Sequence, residues 1–298
     1  MRLPTMRRRL VARLAGLLAV PLAFPLALPL AAALWLAALT AGSAHAQDEV
    51  PFITTPDAVT LAMLELAGVT AQDHVIDLGS GDGRIVITAA KRFGASGLGV
   101  EIVPALVAQS RAHAAAAGVA ARTEFRQQDL FTTDLRRATV VTMYLLPEVN
   151  LQLRPRLLAL APGTRIVSHD WDLGDWMPER TLTLDVPDKA IGREKRSRLH
   201  LWVVPAPLQG LWCGAGLRLS LSQRFQQVSG TLERPGSAAP LLVFDGRILG
   251  PYLGATLPDG ATLGLRADGD TLHVLQGAGA MAPLAGTTLQ RAADGRCG

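Results

Sequence analysis

The sequence predicts a two-part α/β and all-β chain, a mostly parallel sheet carrying one antiparallel strand and then a small barrel or sandwich. Two observations predict it. Before Pro205-Ala206-Pro207, strand-like runs alternate with alanine-rich helical runs, and the last two strand-like runs have no helix between them. Beyond that point, short alternating runs recur about every ten residues, separated by glycine- and proline-bearing turns. The expected units are residues 1–46, 47–205 and 206–298.

In chain order, Asp57 to Leu66 is an opening helix, and Val75 to Leu78 is the first strand. A helix over Arg84 to Phe93, a strand from Gly97 to Glu101, a helix over Pro104 to Ala117 and a strand near Thr123 to Arg126 follow. Thr139 to Tyr144 is a strand, Val149 to Leu160 a helix and Thr164 to His169 a strand; Thr181 to Val186 and Leu199 to Val204 close the series as a hairpin. In the second part, strands are expected at Leu217 to Leu221, Val228 to Leu232, Leu241 to Phe244, Gly246 to Leu249, Ala261 to Leu265, Thr271 to Leu275 and Thr287 to Gln290. Turn signals such as Pro258-Asp259-Gly260 and Ala267-Asp268-Gly269-Asp270 separate them, and closure would remove exposed edges.

The 298 residues are 49% hydrophobic and 18% charged, which excludes a disordered or fibrous chain. The net charge of +4 does not imply a polyanionic partner. Five arginines (Arg2, Arg7, Arg8, Arg9, Arg13) are the only charges before residue 47, leaving 24 basic and 25 acidic residues, so no nucleic acid is expected. Those arginines, the apolar stretch from Leu14 to about Thr40 and Ala44-His45-Ala46 form the three parts of an export signal, with cleavage before Gln47. Arg7-Arg8-Arg9-Leu10 also resembles a twin-arginine signal. An uncleaved anchor is the alternative, made a poorer helix by Pro21, Pro25 and Pro29, and it would be the only membrane contact. Either reading places the remainder outside the cytoplasm, periplasmic or in the envelope; a downstream start near Val50 would leave it cytoplasmic. Cys213 and Cys297 can pair as a disulfide, two buried thiols being the alternative.

The chemistry lies in the turn after the first strand. Val75-Ile76-Asp77-Leu78-Gly79-Ser80-Gly81-Asp82-Gly83 places an acid at the strand end and glycines at alternate positions into a helix. A nicotinamide dinucleotide fingerprint would need glycine where Arg84 stands, and Asp77 would repel a pyrophosphate. A carboxylate there suits a cationic amino-acid end. Glu101 closes the second strand, where an acid can accept two ribose hydroxyls, and Asp129 follows the third, where it can face an adenine. Three acids at successive strand ends favour S-adenosylmethionine, held by Asp77, Gly79, Ser80, Gly81, Gly83, Glu101 and Asp129.

Asp77 to Gly83, Gly99-Val100-Glu101 and Gln128-Asp129-Leu130 resemble the class I S-adenosylmethionine-dependent methyltransferases over roughly residues 51 to 205. That resemblance implies a Rossmann-like seven-stranded sheet with the hairpin as its final antiparallel strand. The string Asp77 to Ile87 and the early Pro51-Phe52-Ile53-Thr54-Thr55-Pro56 are similar to mitochondrial lysine methyltransferases of the ATP synthase c-subunit and the adenine nucleotide carrier. They also resemble the non-SET histone lysine methyltransferases. The resemblance implies a methyl acceptor nitrogen, with protein lysine favoured. A small-molecule methyltransferase, or a non-catalytic envelope binding module keeping the fold, are the alternatives.

Family position puts the end of the fourth strand beside the methyl group, here Met143-Tyr144-Leu145-Leu146-Pro147-Glu148-Val149-Asn150. Tyr144 can line a methyl cage, and Glu148 or Asn150 can orient an amine, although the Asn/Asp-Pro-Pro-Tyr pattern of many amino-group methyltransferases is absent. His169, beside Asp170, is the candidate general base. His169, Asp170, Asp172 and Asp175 lack a distinctive metal-ligand spacing, so no metal is expected. Trp171 and Trp176 can wall a channel or cover the sheet edge, and Gly192 to Arg198 is a basic run at the hairpin tip. Gly210-Leu211-Trp212 resembles the start of lipocalin-like envelope domains.

Overall fold

The computed structural model of the chain describes residues 53–190, 194–257, 259–277, 282 and 284–297. The export segment 1–46, Pro51-Phe52 of the early motif and Gly192-Arg193 of the basic run lie outside the described residues. Within the described residues, α1 (Asp57–Leu66), β1 (His74–Leu78), α2 (Arg84–Phe93), β2 (Ser96–Glu101), α3 (Pro104–Ala116) and β3 (Thr123–Gln127) come first. Then follow β4 (Val140–Met143), α4 (Pro147–Leu158), β5 (Arg165–His169), β6 (Arg180–Asp185) and β7 (Arg196–Val203).

These strands form one seven-stranded sheet in the order β3-β2-β1-β4-β5-β7-β6. The first five are parallel, and β7 runs antiparallel between β5 and β6. Both faces are covered, so side chains alternate between two cores. Val75, Val140 and Val167 meet Val59, Met63 and Ile85 on one face. Ile76, Val141 and Ile166 meet Leu153, Leu157, Trp176 and Trp202 on the other. Because the chain moves outward from β1 to β2 on one side and to β4 on the other, a crevice opens beyond the carboxyl ends of β1 and β4.

The second part holds β8 (Gly210–Gly214), β9 (Leu217–Arg224), β10 (Gln227–Glu233), β11 (Leu242–Leu249), β12 (Tyr252–Thr256), β13 (Thr262–Asp268), β14 (Thr271–Gln276) and β15 (Thr288–Arg291). They close into an antiparallel barrel, β15 pairing back onto β8. Trp212, Leu219, Leu232, Ile248, Leu265 and Leu289 fill its interior.

Two details of the barrel differ from expectation. Leu241 to Phe244 and Gly246 to Leu249 belong to one strand, β11, and β8 and β12 are strands the pattern did not suggest. Asp245-Gly246 resembles a turn, yet Gly246 pairs with both Val228 and Ala255, and a Cβ there would lie 2.8 Å from the Gly254 carbonyl. The glycine therefore serves a close approach of strands, and the chain reverses after Leu249, where Gly250 has φ +56°.

Cys213 and Cys297 are joined by a disulfide across 84 residues of sequence. Closing a loop of that size restricts the unfolded chain, so reduction should lower stability by about 2–4 kcal/mol. Denaturant titration with and without a phosphine reductant measures this, and coincident curves would contradict it.

The β9–β10 turn fastens the barrel to the sheet. Phe225, at φ +52°, stacks on Trp176 with centroids 6.1 Å apart, under the Arg154 guanidinium at 5.7 Å. Gln226 donates to the Met177 carbonyl at 2.7 Å, and Arg224 and Arg247 pair with Asp175 and Glu179 at 3.0 and 2.5 Å. All four contacted residues lie in the segment between β5 and β6, which also borders the crevice.

Candidate active site

Asp77 is the penultimate residue of β1, between Gly99 of β2 and Thr142 of β4. Its side chain is buried, and the Thr142 hydroxyl donates to Oδ1 at 2.7 Å. Burial pushes its pKa up to about 7, with the Glu101 and Asp82 carboxylates adding to the rise and the Thr142 bond opposing it.

After β1 the backbone turns sharply. The Gly79 and Ser80 N–H groups both donate to the Val100 carbonyl at 2.9 Å, and Gly79 and Gly81 have φ +74° and +53°. Leu145 closes over Gly79, where a Cβ would lie 3.0 Å from its Cδ2. Glu101 braces the loop: Oε2 accepts from Gly81 N–H at 3.0 Å, while Oε1 accepts from Ile102 and Val103 N–H at 2.8 and 3.0 Å. The structure thus brings Asp77, Gly79, Gly81 and Glu101 to one rim. Asp129 stands at the end of the next strand, exposed, its Oδ1 accepting from Phe131 N–H at 2.8 Å.

Two of the expected ligand residues have other duties. The Ser80 hydroxyl is buried against Gly99 without a partner, so Ser80 shapes the turn. Gly83, at φ +80°, begins α2, and a Cβ there would come within 2.7 Å of Phe125 and 2.9 Å of Ser110. It permits close packing of helix on sheet. Arg84 forks onto Asp82, with Nη2 to Oδ2 at 2.7 Å and Nε to Oδ1 at 3.0 Å, and reaches the Thr55 carbonyl at 2.7 Å. Burial would raise the Asp82 pKa, but the Arg84 fork outweighs it and holds the carboxyl low. The chain entering α1 is thereby pinned to the loop.

Beyond β4 and β5 lies a second polar group. The Tyr144 hydroxyl donates to Asp170 Oδ2 at 3.3 Å, and Lys189 Nζ donates to the same oxygen at 2.6 Å. Arg198 N–H donates to Asp170 Oδ1 at 3.0 Å. Asp170 has φ +64°, a conformation aspartate and asparagine tolerate better than most residues. Burial and the Asp170 carboxylate push the Tyr144 pKa up to about 12, so the phenol stays protonated as a donor. Tyr144 rests on the His169 ring, centroids 3.9 Å apart.

His169 does not suit the base role expected of it. It is 0% exposed, with Nε2 bonded to the Ser197 hydroxyl at 2.9 Å and Nδ1 without a partner. Burial pushes its pKa down to about 4, the Asp170 carboxylate opposing and Lys189 assisting, so it is a neutral support beneath Tyr144. Glu148 is exposed in the first turn of α4, where a carboxylate complements the helix dipole. Among the described residues it makes no hydrogen bond with Tyr144, His169 or Asp170. Asn150 is buried and donates to Ser168 Oγ and the Trp171 and Asp172 carbonyls at 3.1, 3.2 and 3.3 Å. It holds the post-β5 loop rather than an amine. Trp176 is core, whereas Trp171 is 44% exposed.

Thr142, Leu145 and Lys189 are the members that sequence reasoning missed. Thr142 had a signal, a lone polar residue at the carboxyl end of an otherwise apolar strand. Lys189 had none, being separated from Asp170 by nineteen residues and an intervening strand.

This strand order, with acids at the ends of β1 and β2 flanking a glycine turn, defines a class I methyltransferase that uses S-adenosylmethionine. A family model described as the ANTKMT methyltransferase domain matches residues 77–180. A protein-lysine N-methyltransferase of Saccharolobus islandicus is 43% identical over 138 residues, 46% of this chain and 86% of the relative. The chain belongs to this methyltransferase family. The adenine nucleotide translocase lysine N-methyltransferase of mouse is 39% identical over 105 residues, 35% of this chain and 46% of its own length. The chain therefore spans nearly all of the archaeal relative but less than half of the mouse one. Among solved structures, an RNA methyltransferase from Salinibacter ruber in complex with S-adenosyl-L-homocysteine is 50% identical, with 52% of this chain and 96% of that one covered and a TM-score of 0.48.

The donor set fits the cofactor. Two carboxylates bracket a turn of positive-φ glycines, an arrangement suited to a cationic amino acid on one side and ribose hydroxyls on the other.

Proposed function

We propose that the chain is a protein-lysine N-methyltransferase whose acceptor amine is held at the Tyr144–Asp170 pair. The observation that carries this is the shared Asp170 Oδ2, which accepts both a phenol and an ammonium at the carboxyl ends of β4 and β5. The lysine N-methyltransferase activities of the archaeal and mouse relatives support it. Asp77 would hold the amino group of the methyl donor, Glu101 its ribose and Asp129 its adenine side. When bound, the donor supplies an activated methyl group on a sulfonium. Tyr144 and Asp170 then need only orient the acceptor nitrogen and keep water from it, the acceptor's proton leaving to solvent. Radiolabelled methyl transfer into a cell extract separated into protein, RNA and small molecules tests this. Label in protein is expected; label confined to RNA or small molecules would overturn it.

A pH dependence follows from Asp77. Its ionised form attracts the cationic amine, so below its pKa of about 7 a proton competes with the donor. Affinity should rise by up to about tenfold per pH unit as pH approaches 7 from below, then flatten. An Asp77→Asn variant should bind weakly with no such slope. A wild-type affinity that is flat across the same range would contradict the assignment.

We place the enzyme outside the cytoplasm, residues 1–46 being its export signal. The Cys213–Cys297 disulfide supports an oxidising compartment. Fractionation with N-terminal sequencing should recover a periplasmic chain beginning at Gln47; an intact cytoplasmic chain would contradict this.

A further inference from the structure

The whole chain contains three lysines, Lys91, Lys189 and Lys195, among 29 basic residues. Lys91 lies in the last turn of α2, which returns toward the amino ends of the strands, away from the crevice. Lys195 turns its ammonium onto the Lys189 carbonyl at 2.5 Å. Lys189 alone points at the polar group beyond β4 and β5. Its side chain is 11% exposed, and Nζ donates to Asp170 Oδ2 at 2.6 Å and to the Arg196 carbonyl at 2.5 Å. Withdrawing a lysine ammonium from water is costly unless it is paired, and Asp170, itself 18% exposed, supplies the pair. The Tyr144 hydroxyl shares the same oxygen.

A lysine ε-amine thus already rests where the proposed function requires one to be presented. We propose that Lys189 is a methyl acceptor in its own right, modified within its own molecule. This inference rests on the lysine reading of the site. The ammonium first loses a proton to solvent. The freed Nζ lone pair then forms the nitrogen–carbon bond to the methyl group, while the carbon–sulfur bond breaks and its electrons remain on sulfur as the thioether. Methylation keeps the positive charge but removes one N–H donor per methyl added. The ion pair with Asp170 therefore survives, while the bonds to Asp170 and the Arg196 carbonyl are lost in turn. The hold on Lys189 is thereby loosened, and the Asp170 Oδ2 position that accepted its hydrogen bond opens to an external lysine.

Peptide mass mapping of the full-length protein, as purified and after incubation with S-adenosylmethionine, tests the inference. One to three methyl groups are expected on the peptide carrying Lys189, at a first-order rate independent of protein concentration. A Lys189→Arg variant should lose the modification, and Lys195→Arg should retain it. A second readout needs no methyl donor: an amine-acylating reagent should label Lys189 more slowly than Lys91, and Asp170→Asn should reduce that protection, leaving the part due to the Arg196 carbonyl. Lys189 left unmethylated while an added protein is methylated on lysine would overturn this inference alone. Equal acylation of Lys189 and Lys91 in the wild type would also overturn it. Donor binding with no lysine methylated anywhere would overturn the lysine reading instead.

Discussion

Glu101→Ala and Asp77→Ala should each weaken S-adenosylmethionine binding about 30- to 100-fold, the consequence of losing roughly 2–3 kcal/mol of charge-assisted hydrogen bonding. The two losses have different origins. Glu101 has two tasks, presenting a carboxylate to the ribose and bracing the loop through Gly81, Ile102 and Val103 N–H. Glu101→Gln keeps one acceptor oxygen for those backbone donors and removes the charge. It should therefore bind more weakly than wild type but more tightly than Glu101→Ala. Asp77 has one task, and removing it also leaves the buried Thr142 hydroxyl without its acceptor, so some stability is lost with the affinity. Calorimetric titration reads the affinities. Unchanged binding in both alanine variants would place the cofactor elsewhere.

Trp176→Ala should destabilise the protein by about 3–5 kcal/mol, the range for deleting a fully buried large aromatic. Trp176 is 0% exposed, its carbonyl accepts from Trp202 Nε1 at 2.7 Å, and its ring carries Phe225 of the barrel turn. The substitution therefore opens the sheet core and unseats the barrel together. Phe225→Ala, which touches the same ring from the barrel side, should cost less because Phe225 is only half-buried. Their effects should be non-additive, since the two rings share one contact. Denaturant unfolding of both single variants and the double variant measures this. Additive losses would show that the stack does not couple barrel to sheet.

The segment between β5 and β6 joins the barrel to the site. Asp170 bonds Tyr144 at one end of that segment, while Asp175 to Glu179 are gripped by Arg224, Phe225, Gln226 and Arg247 at the other. The barrel thus holds one wall of the site from behind.

The parallel sheet was legible because its signals are local. β-branched runs, alanine-rich helices and the Asp77 to Gly83 turn each occupy a few consecutive residues, and the helix Asp57 to Leu66 was readable to the residue. Asp77, Gly79, Gly81 and Glu101 were legible for the same reason, an acid or glycine at a strand end being a positional statement. Ser80 and Gly83 belonged to the right turn, but their side-chain positions are set by Gly99, Ser110 and Phe125, which only packing brings near. His169 looked like a base because Asp170 follows it. What decides its chemistry is burial under Tyr144 and the bond to Ser197, twenty-eight residues away. In the barrel, Asp245-Gly246 carried a turn signal that the close approach of β12 overrides. Long-range pairing of this kind leaves no mark in a short window of sequence.

Single-turnover methyl transfer to a lysine-bearing protein acceptor, with the product hydrolysed to amino acids, identifies the accepting atom and the role of Asp170 together. Wild type, Asp170→Asn and Tyr144→Phe are compared at saturating S-adenosylmethionine. Asparagine keeps the φ +64° conformation and an acceptor for Arg198 N–H, so the first variant removes charge with little strain. Methyllysine is expected as the product, with cofactor affinity near wild type in both variants and a rate reduced at least about tenfold in Asp170→Asn, from the loss of one charge-assisted contact to the amine. A methylated product other than lysine, or an Asp170→Asn rate equal to wild type, would contradict it.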